Sequence, residues 1–119
     1  MDDVSNYTAY LGTLVHVEID RPKGSKHPSL DFLYEVNYGY LPGTIAGDGD
    51  EIDAYVLGVD DPLKNFEGRC IAVIVRKDDV EHKLVVAGAP VSPSSIIEQT
   101  AFVEQHYDTE LILDENRFT

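Results

Sequence analysis

The chain has 119 residues, 43% of them hydrophobic, and one domain over residues 1–119 is expected at this length. With 22 acidic and 9 basic side chains the formal net charge is −13, which argues against binding to a nucleic-acid backbone, since a basic surface supplies most of that affinity. The apolar runs are too short to span a membrane, and the N-terminus does not read as a secretory signal, so we expect a soluble cytoplasmic protein.

The first predicted element is a strand over residues 10–19, where alternation places Leu14 and neighbouring apolar residues toward the core. Residues 20–28 contain proline and glycine, which interrupt regular structure. A short aromatic segment follows at residues 32–38 and ends at Gly39.

Residues 47–51 predict a turn, and residues 52–58 predict the strand that follows it. After a polar loop, residues 69–76 form the most apolar predicted strand. The single cysteine, Cys70, lies in this strand, so we expect a buried, unreactive thiol, and an internal disulfide is excluded.

Residues 77–82 predict the tip of a hairpin, from which the chain returns as a strand over residues 83–87. The last predicted element is a helix, in which Ser95 and Glu98 have the spacing of a capping box. Short strands with tight turns and one helix predict a mainly β (α+β) fold, a small five-stranded OB-like closed barrel with a C-terminal helix.

The turn Asp48-Gly49-Asp50-Glu51-Ile52-Asp53-Ala54 concentrates acidic side chains. Alternate residues of an extended segment point the same way, so Asp48 and Asp50 are expected to face one cavity with Asp53 nearby. Carboxylates held this close need a cation, and their oxygens suit Mg²⁺, Mn²⁺ or Ca²⁺. The spacing alone also fits an ordinary acidic surface turn. An EF-hand is excluded, because the sixth and twelfth positions would be Asp53 and Val59.

This acidic turn resembles the signature of the family I soluble inorganic pyrophosphatases: acid, small residue, acid, Pro or Glu, aliphatic, acid, aliphatic. At the matching distance before it, Tyr34-Glu35-Val36-Asn37-Tyr38-Gly39-Tyr40-Leu41-Pro42 is similar to that family's tyrosine-rich segment. After it, Asp78 and Glu81-His82-Lys83-Leu84-Val85 are similar to the family's later aspartates and its Asp-x-Lys-Leu run. The similar stretch runs from about residue 20 to residue 87.

The resemblance implies a cytoplasmic, Mg²⁺-dependent inorganic diphosphatase, with Mn²⁺ as the alternative metal. Such a hydrolase converts diphosphate and water to two phosphates by attack of a metal-activated water. Asp50 is implied as the base for that water. The metal-binding side chains that the resemblance implies are Asp48, Asp50, Asp53, Asp78 and Glu81. Because Glu81 stands where the family usually has aspartate, the metal spacing is expected to differ by about a methylene.

The resemblance also assigns substrate contacts. It implies that Tyr38 forms a hydrogen bond near the attacking water, that Tyr34 lines the pocket and that Lys83 contacts phosphate. Three phosphate-binding cations of the family have no counterpart, and its C-terminal Tyr-Lys is replaced by His106-Tyr107-Asp108.

A basic cluster on the Pro/Gly loop is the candidate replacement for the missing cations. Arg21 and Lys23 are its predicted substrate-binding members, accompanied by Lys26 and His27; the alternative is that these side chains only balance surface acids. Asp20 aligns loosely with an acid that the family places before this loop.

Two alternatives remain open at this point. The substrate is another phosphoanhydride such as a nucleotide, or the chain is a metal-binding relative with weak or no catalysis. The presence of Asp50 favours an enzyme, because a purely structural metal site needs no base. The expected partner is a small phosphoanhydride, with no nucleic acid and no membrane, and exposed barrel edges are compatible with a homo-oligomer.

Overall fold

The computed structural model describes residues 4–46, 49–79 and 81–114. Helix α1 spans Ser5–Thr8, and helix α2 spans Pro93–Glu104. The strands are β1 Leu14–Arg21, β2 Asn37–Leu41, β3 Ile52–Leu57, β4 Asn65–Arg76, β5 Lys83–Ala87 and β6 Thr109–Leu113.

Five strands close a barrel in the order β1-β2-β3-β5-β4, and pairing of β1 with β4 completes the circle. All neighbours are antiparallel except β3 and β5, which run parallel. Residues 65–69 of β4 pair with β1, whereas residues 72–76 pair with β6 outside the barrel. The expected small five-stranded barrel with a C-terminal helix is confirmed.

Helix α1 and strand β6 were not predicted from the sequence. Strand β6 extends the sheet beyond β4, with Leu113 opposite Ala72 and Thr109 opposite Arg76. The prediction that the helix is the last element is therefore wrong. A five-residue strand whose partner lies more than 30 residues earlier has no local signal beyond a few apolar residues.

For the first predicted strand, the first residue and the side chains predicted to point toward the core were both wrong. Strand β1 begins at Leu14, which is 75% exposed, whereas Val15 and Val17 are buried. Side chains alternate across a strand, so Leu14 lies on the same outer face as His16, and a slip of one residue reverses the face of every side chain.

Helix α2 begins earlier than the capping-box spacing predicted. Ser92 is its N-cap, with Oγ accepting a hydrogen bond from Ser95 N at 3.2 Å, and Pro93 occupies the first helical position. Ile96 of this helix is fully buried against the outside of the barrel. No helix in the part of the chain that the structure describes has the length and apolar character to cross a membrane.

The core has two groups of buried side chains, one inside the barrel and one between the barrel and α2. Strand β5 is covered on both faces: Leu84 and Val86 belong to the first group, and Val85 and Ala87 to the second. Cys70 is fully buried as predicted, and burial raises the pKa of its thiol to about 12, so the thiol stays protonated at neutral pH.

Strands β1 and β2 approach so closely that only glycine fits at one position. A Cβ added to Gly39 would lie 1.9 Å from the carbonyl oxygen of Glu18. This contact fixes β2 against β1 and therefore the position of Tyr38, the residue just before Gly39.

Candidate active site

A cluster of charged side chains forms where β2, β3 and β5 lie side by side. Asp53 of β3 and Lys83 of β5 are directly paired in the register of the two parallel strands. Lys83 Nζ donates to Asp53 Oδ2 at 2.8 Å and to Glu81 Oε1 at 2.6 Å. The hydroxyl of Tyr38 on β2 donates to the same Asp53 Oδ2 at 2.7 Å. The structure thus brings together four residues that the sequence analysis singled out, and we call them the carboxylate–lysine cluster.

The two carboxylates of this cluster titrate differently. Burial acts to raise the pKa of Asp53, but the charge of Lys83 and the hydrogen bonds from Glu81, Lys83 and Tyr38 outweigh it, and the pKa is lowered. For Glu81, burial and the hydrogen bond with Asp53 raise the pKa to about 7. Near neutral pH the pair therefore holds a shared proton in part of the molecules, because two adjacent carboxylates need more positive charge than one lysine provides.

The cluster contains two carboxylates of the kind that bind a hard divalent cation. Asp53 and Glu81 offer carboxylate oxygens, the ligands that Mg²⁺ and Mn²⁺ prefer, and the ammonium of Lys83 already occupies the space between them as a cation. Within residues 4–46, 49–79 and 81–114, no group of three or more His, Cys, Asp or Glu side chains is placed to hold a metal. Asp48, the first predicted ligand, lies outside the described residues.

The other predicted acids lie nearby along the chain. Asp50 is exposed in the turn before β3, where its carbonyl oxygen accepts a hydrogen bond from Ala46 N at 2.6 Å. Asp78 is exposed in the turn after β4, with Oδ2 3.5 Å from Asp108 N. Among the described contacts, none joins Asp78 to Asp53 or Glu81. Its neighbour Asp79, which sequence reasoning passed over, accepts a hydrogen bond from Glu81 N at 3.2 Å and so shapes the turn.

At the end of β1, Asp20 and Arg21 lie close to the cluster. Burial raises the pKa of Asp20 and the nearby charge of Asp53 adds to this, while Arg21 opposes it. Burial raises the pKa of the Tyr34 hydroxyl and the charge of Arg21 acts to lower it, and the Tyr34 ring lies 5.5 Å from the ring of Tyr38. The structure therefore places Arg21 and Tyr34 beside the carboxylates.

Lys23 takes a different position from its neighbour Arg21. Its Nζ lies 3.7 Å from Asp60, and its side chain lines a separate cavity with Glu35, Val36 and Gln99. The geometry thus separates the two predicted substrate-binding members of the basic loop.

A second charged group, the arginine–glutamate group, adjoins the cluster and was missed by the sequence analysis. Arg76 at the end of β4 donates to both oxygens of Glu104 on α2, at 3.0 and 2.7 Å. Tyr55 donates its hydroxyl to Glu104 at 2.6 Å, and its ring lies 5.0 Å from that of Tyr38. The one local signal was an arginine at the end of an otherwise apolar strand.

Comparison with known proteins identifies the family. Residues 13–111 match the family model described as inorganic pyrophosphatase. The chain is 33% identical over 87 residues to the inorganic pyrophosphatase of Xylella fastidiosa, covering 66% of this chain and 47% of that protein. It is 27% identical over 117 residues to that of Caulobacter vibrioides, covering 81% and 66%. The chain thus spans about half the length of the Xylella relative.

Solved structures agree with this match. The inorganic pyrophosphatase of Neisseria gonorrhoeae superimposes with a TM-score of 0.65 at 25% identity, covering 88% of this chain and 85% of that one. That of Ehrlichia chaffeensis gives a TM-score of 0.68 at 18% identity with 90% of each chain covered, which shows a shared fold. Because the family match extends over most of its length, the chain belongs to the family I inorganic pyrophosphatases.

Proposed function

We propose that the chain is a Mg²⁺-dependent inorganic diphosphatase that hydrolyses diphosphate to two phosphates. The observation that carries the proposal is the carboxylate–lysine cluster: β3 and the β4–β5 hairpin present Asp53 and Glu81 to one lysine, and Tyr38 donates to the same oxygen as that lysine. Family membership supports the same reaction.

Asp53 and Glu81 are the proposed principal metal ligands, together with Asp48 and Asp50 from the acidic turn. Asp78 is the weakest member of the predicted set, because its described contact is with the backbone of Asp108. Bound Mg²⁺, or Mn²⁺ as the alternative, would neutralise phosphate charge and lower the pKa of a water molecule.

The remaining side chains position the substrate and the proton. Lys83 and Arg21 supply positive charge to the phosphate oxygens, Arg21 through a planar guanidinium suited to two parallel hydrogen bonds. The Tyr38 hydroxyl, whose pKa burial and Asp53 raise well above the ordinary value, remains a hydrogen-bond donor. Asp50 takes the proton of the attacking water. The water oxygen bonds to one phosphorus in line with the bridging oxygen, and the other phosphate leaves with that oxygen.

The proposal is tested by phosphate release from diphosphate in the presence of Mg²⁺ and of a chelator. We expect release with Mg²⁺ only. Asp50→Asn should lower kcat by about 10²- to 10⁴-fold, the usual contribution of a positioned base, without changing the urea unfolding midpoint.

Asp31→Asn is the matched control, because Asp31 is a fully exposed loop carboxylate 4.0 Å from Lys26. Full activity of Asp50→Asn would refute the role given to Asp50. Absence of phosphate release from diphosphate with either Mg²⁺ or Mn²⁺ would refute the proposed function itself.

A further inference from the structure

A cavity of about 290 Å³ opens beside the carboxylate–lysine cluster. The loop before β2, the strands and the turn after α2 all contribute to it. Its aromatic lining consists of His27, Phe32, Tyr34, Tyr38, Tyr55, His106 and Tyr107. Tyr38 belongs to the cluster through its hydrogen bond to Asp53, and its ring lies 5.5 Å from that of Tyr34, so the aromatic cleft and the cluster adjoin.

The rings that line the aromatic cleft are held in place by one another. The ring of Phe32 lies 4.9 Å from that of His27 and 5.5 Å from that of Tyr34. On the α2 side, the guanidinium of Arg76 lies 3.8 Å from the centre of the Tyr107 ring. Tyr34 and Tyr55 are buried, so the faces open to a ligand belong to the half-buried His27 and Phe32 and to Tyr107, which is 37% exposed. Such fixed faces favour the stacking of a flat aromatic group, because little side-chain freedom is lost on binding.

The charge of the aromatic cleft does not suit a free phosphate ion. Arg76 is the fixed positive charge among its described lining residues, and Glu104 neutralises it through two hydrogen bonds. His27 Nδ1 accepts hydrogen bonds from the backbone N–H groups of Ser29 and Leu30 at 3.1 and 2.9 Å, which leaves Nε2 as the donor of the neutral ring. A neutral planar ring with polar edges matches these groups better than an anion does.

We propose that the aromatic cleft binds the base of a nucleoside diphosphate while the diphosphate group occupies the carboxylate–lysine cluster; this rests on the proposed function. A nucleoside diphosphate is diphosphate with a nucleoside esterified to one phosphorus, so the same step applies. The water oxygen bonds to the β-phosphorus, and the bond from that phosphorus to the bridging oxygen breaks. The nucleoside monophosphate leaves with the bridging oxygen, and Asp50 takes the proton of the water.

Binding is tested with two non-hydrolysable probes that differ only in the nucleoside. Calorimetry in Mg²⁺ compares methylenediphosphonate with adenosine 5′-(α,β-methylene)diphosphate on the full chain. We expect the adenosine compound to bind about tenfold more tightly or better, in line with the contribution of base stacking on aromatic side chains. Equal or weaker binding of the adenosine compound would overturn the proposal.

Two leucines of the same loop provide a matched pair of variants. Leu30 lines the aromatic cleft and is 58% exposed, whereas Leu33 is 57% exposed and is not part of the lining. Leu30→Ala should weaken binding of the adenosine compound about fivefold and leave methylenediphosphonate binding unchanged, since only the nucleoside loses apolar contact. Leu33→Ala should change the binding of neither compound. Equal effects of the two substitutions would show that the base binds elsewhere.

Hydrolysis assays on the same preparation separate this proposal from the function on which it rests. Release of phosphate from diphosphate, without tighter binding of the adenosine compound, would refute the nucleoside site and leave the diphosphatase intact. Tighter binding of the adenosine compound without phosphate release from diphosphate would refute the diphosphatase and support the site.

Discussion

Two adjacent groups of charged side chains are built from the same parts. In each, a tyrosine hydroxyl and a basic side chain donate to one carboxylate. The carboxylate–lysine cluster joins Tyr38, Lys83 and Asp53, and the arginine–glutamate group joins Tyr55, Arg76 and Glu104. Tyr38 and Tyr55 are cross-strand partners of β2 and β3, so the two groups are in contact.

The groups differ in access to solvent. The side chains of Arg76 and Glu104 are each 6% exposed, and Arg76 Nη1 also lies 3.6 Å from Oδ2 of Asp79. In the cluster, Lys83 faces two carboxylates, Asp53 at 27% and Glu81 at 21% exposure. A buried ion pair is shielded from a ligand in solution, whereas carboxylates that are partly exposed are accessible to a cation. We infer that the arginine–glutamate group stabilises the fold and that the carboxylate–lysine cluster binds a cation.

Replacing the basic side chains Arg76 and Lys83 should give the largest difference between the two groups. Arg76→Met leaves Glu104 buried without its ion-pair partner and should lower the free energy of unfolding by about 3–5 kcal/mol. Lys83→Met should cost less, because Glu81 can take up a proton, yet it should lower kcat/KM for diphosphate about 10- to 100-fold through loss of a charged contact. Urea unfolding and phosphate release measure the two effects. Equal destabilisation by both variants would contradict the inference that the arginine–glutamate group is the one that stabilises the fold.

Removing the two tyrosine hydroxyls sharpens the same comparison with a smaller effect. Tyr55→Phe removes one donor from the buried Glu104 and should lower the free energy of unfolding by about 1–3 kcal/mol. Tyr38→Phe should cost less stability, because Asp53 keeps Lys83 and is partly exposed, and should instead slow diphosphate hydrolysis. A larger stability loss for Tyr38→Phe would reverse the roles of the two groups.

The smallest expected effect is on stability at alkaline pH. Burial and the charge of Glu104 raise the pKa of Tyr55 well above its ordinary value of 10.0. Above that value the folded chain keeps a proton that the unfolded chain loses, so this contribution to stability is complete below pH 10.0 and is lost as the pH rises toward the raised pKa. Urea midpoints at pH 8 and at about pH 10.5 should differ less in Tyr55→Phe than in the parent chain.

Cys70 titrates in an overlapping range, because burial raises the pKa of its thiol to about 12. The alkaline comparison is therefore made in a Cys70→Ala background. If Tyr55→Phe shows the same loss of stability with pH as that background, the phenol of Tyr55 does not contribute to the alkaline sensitivity.

Local sequence determined the parts of the molecule whose signal lies within a few residues. The apolar run after the acidic turn predicted β3 and placed Asp53 on it, and the turn at residues 77–82 predicted the hairpin that carries Glu81 and Lys83. The resemblance of these runs to one family supplied their expected roles. Strand and hairpin signals are short-range, since they depend on period-two patterning and turn residues.

Tertiary structure alone decided what depends on contacts between distant segments. It turned Leu14 outward, added β6 to the edge of β4, and paired Arg76 with Glu104 across 28 residues. It also separated Lys23 from Arg21, although they are two residues apart. Sequence spacing specifies which side chains are close along the chain, but closure of the barrel and docking of α2 specify which of them face the same space.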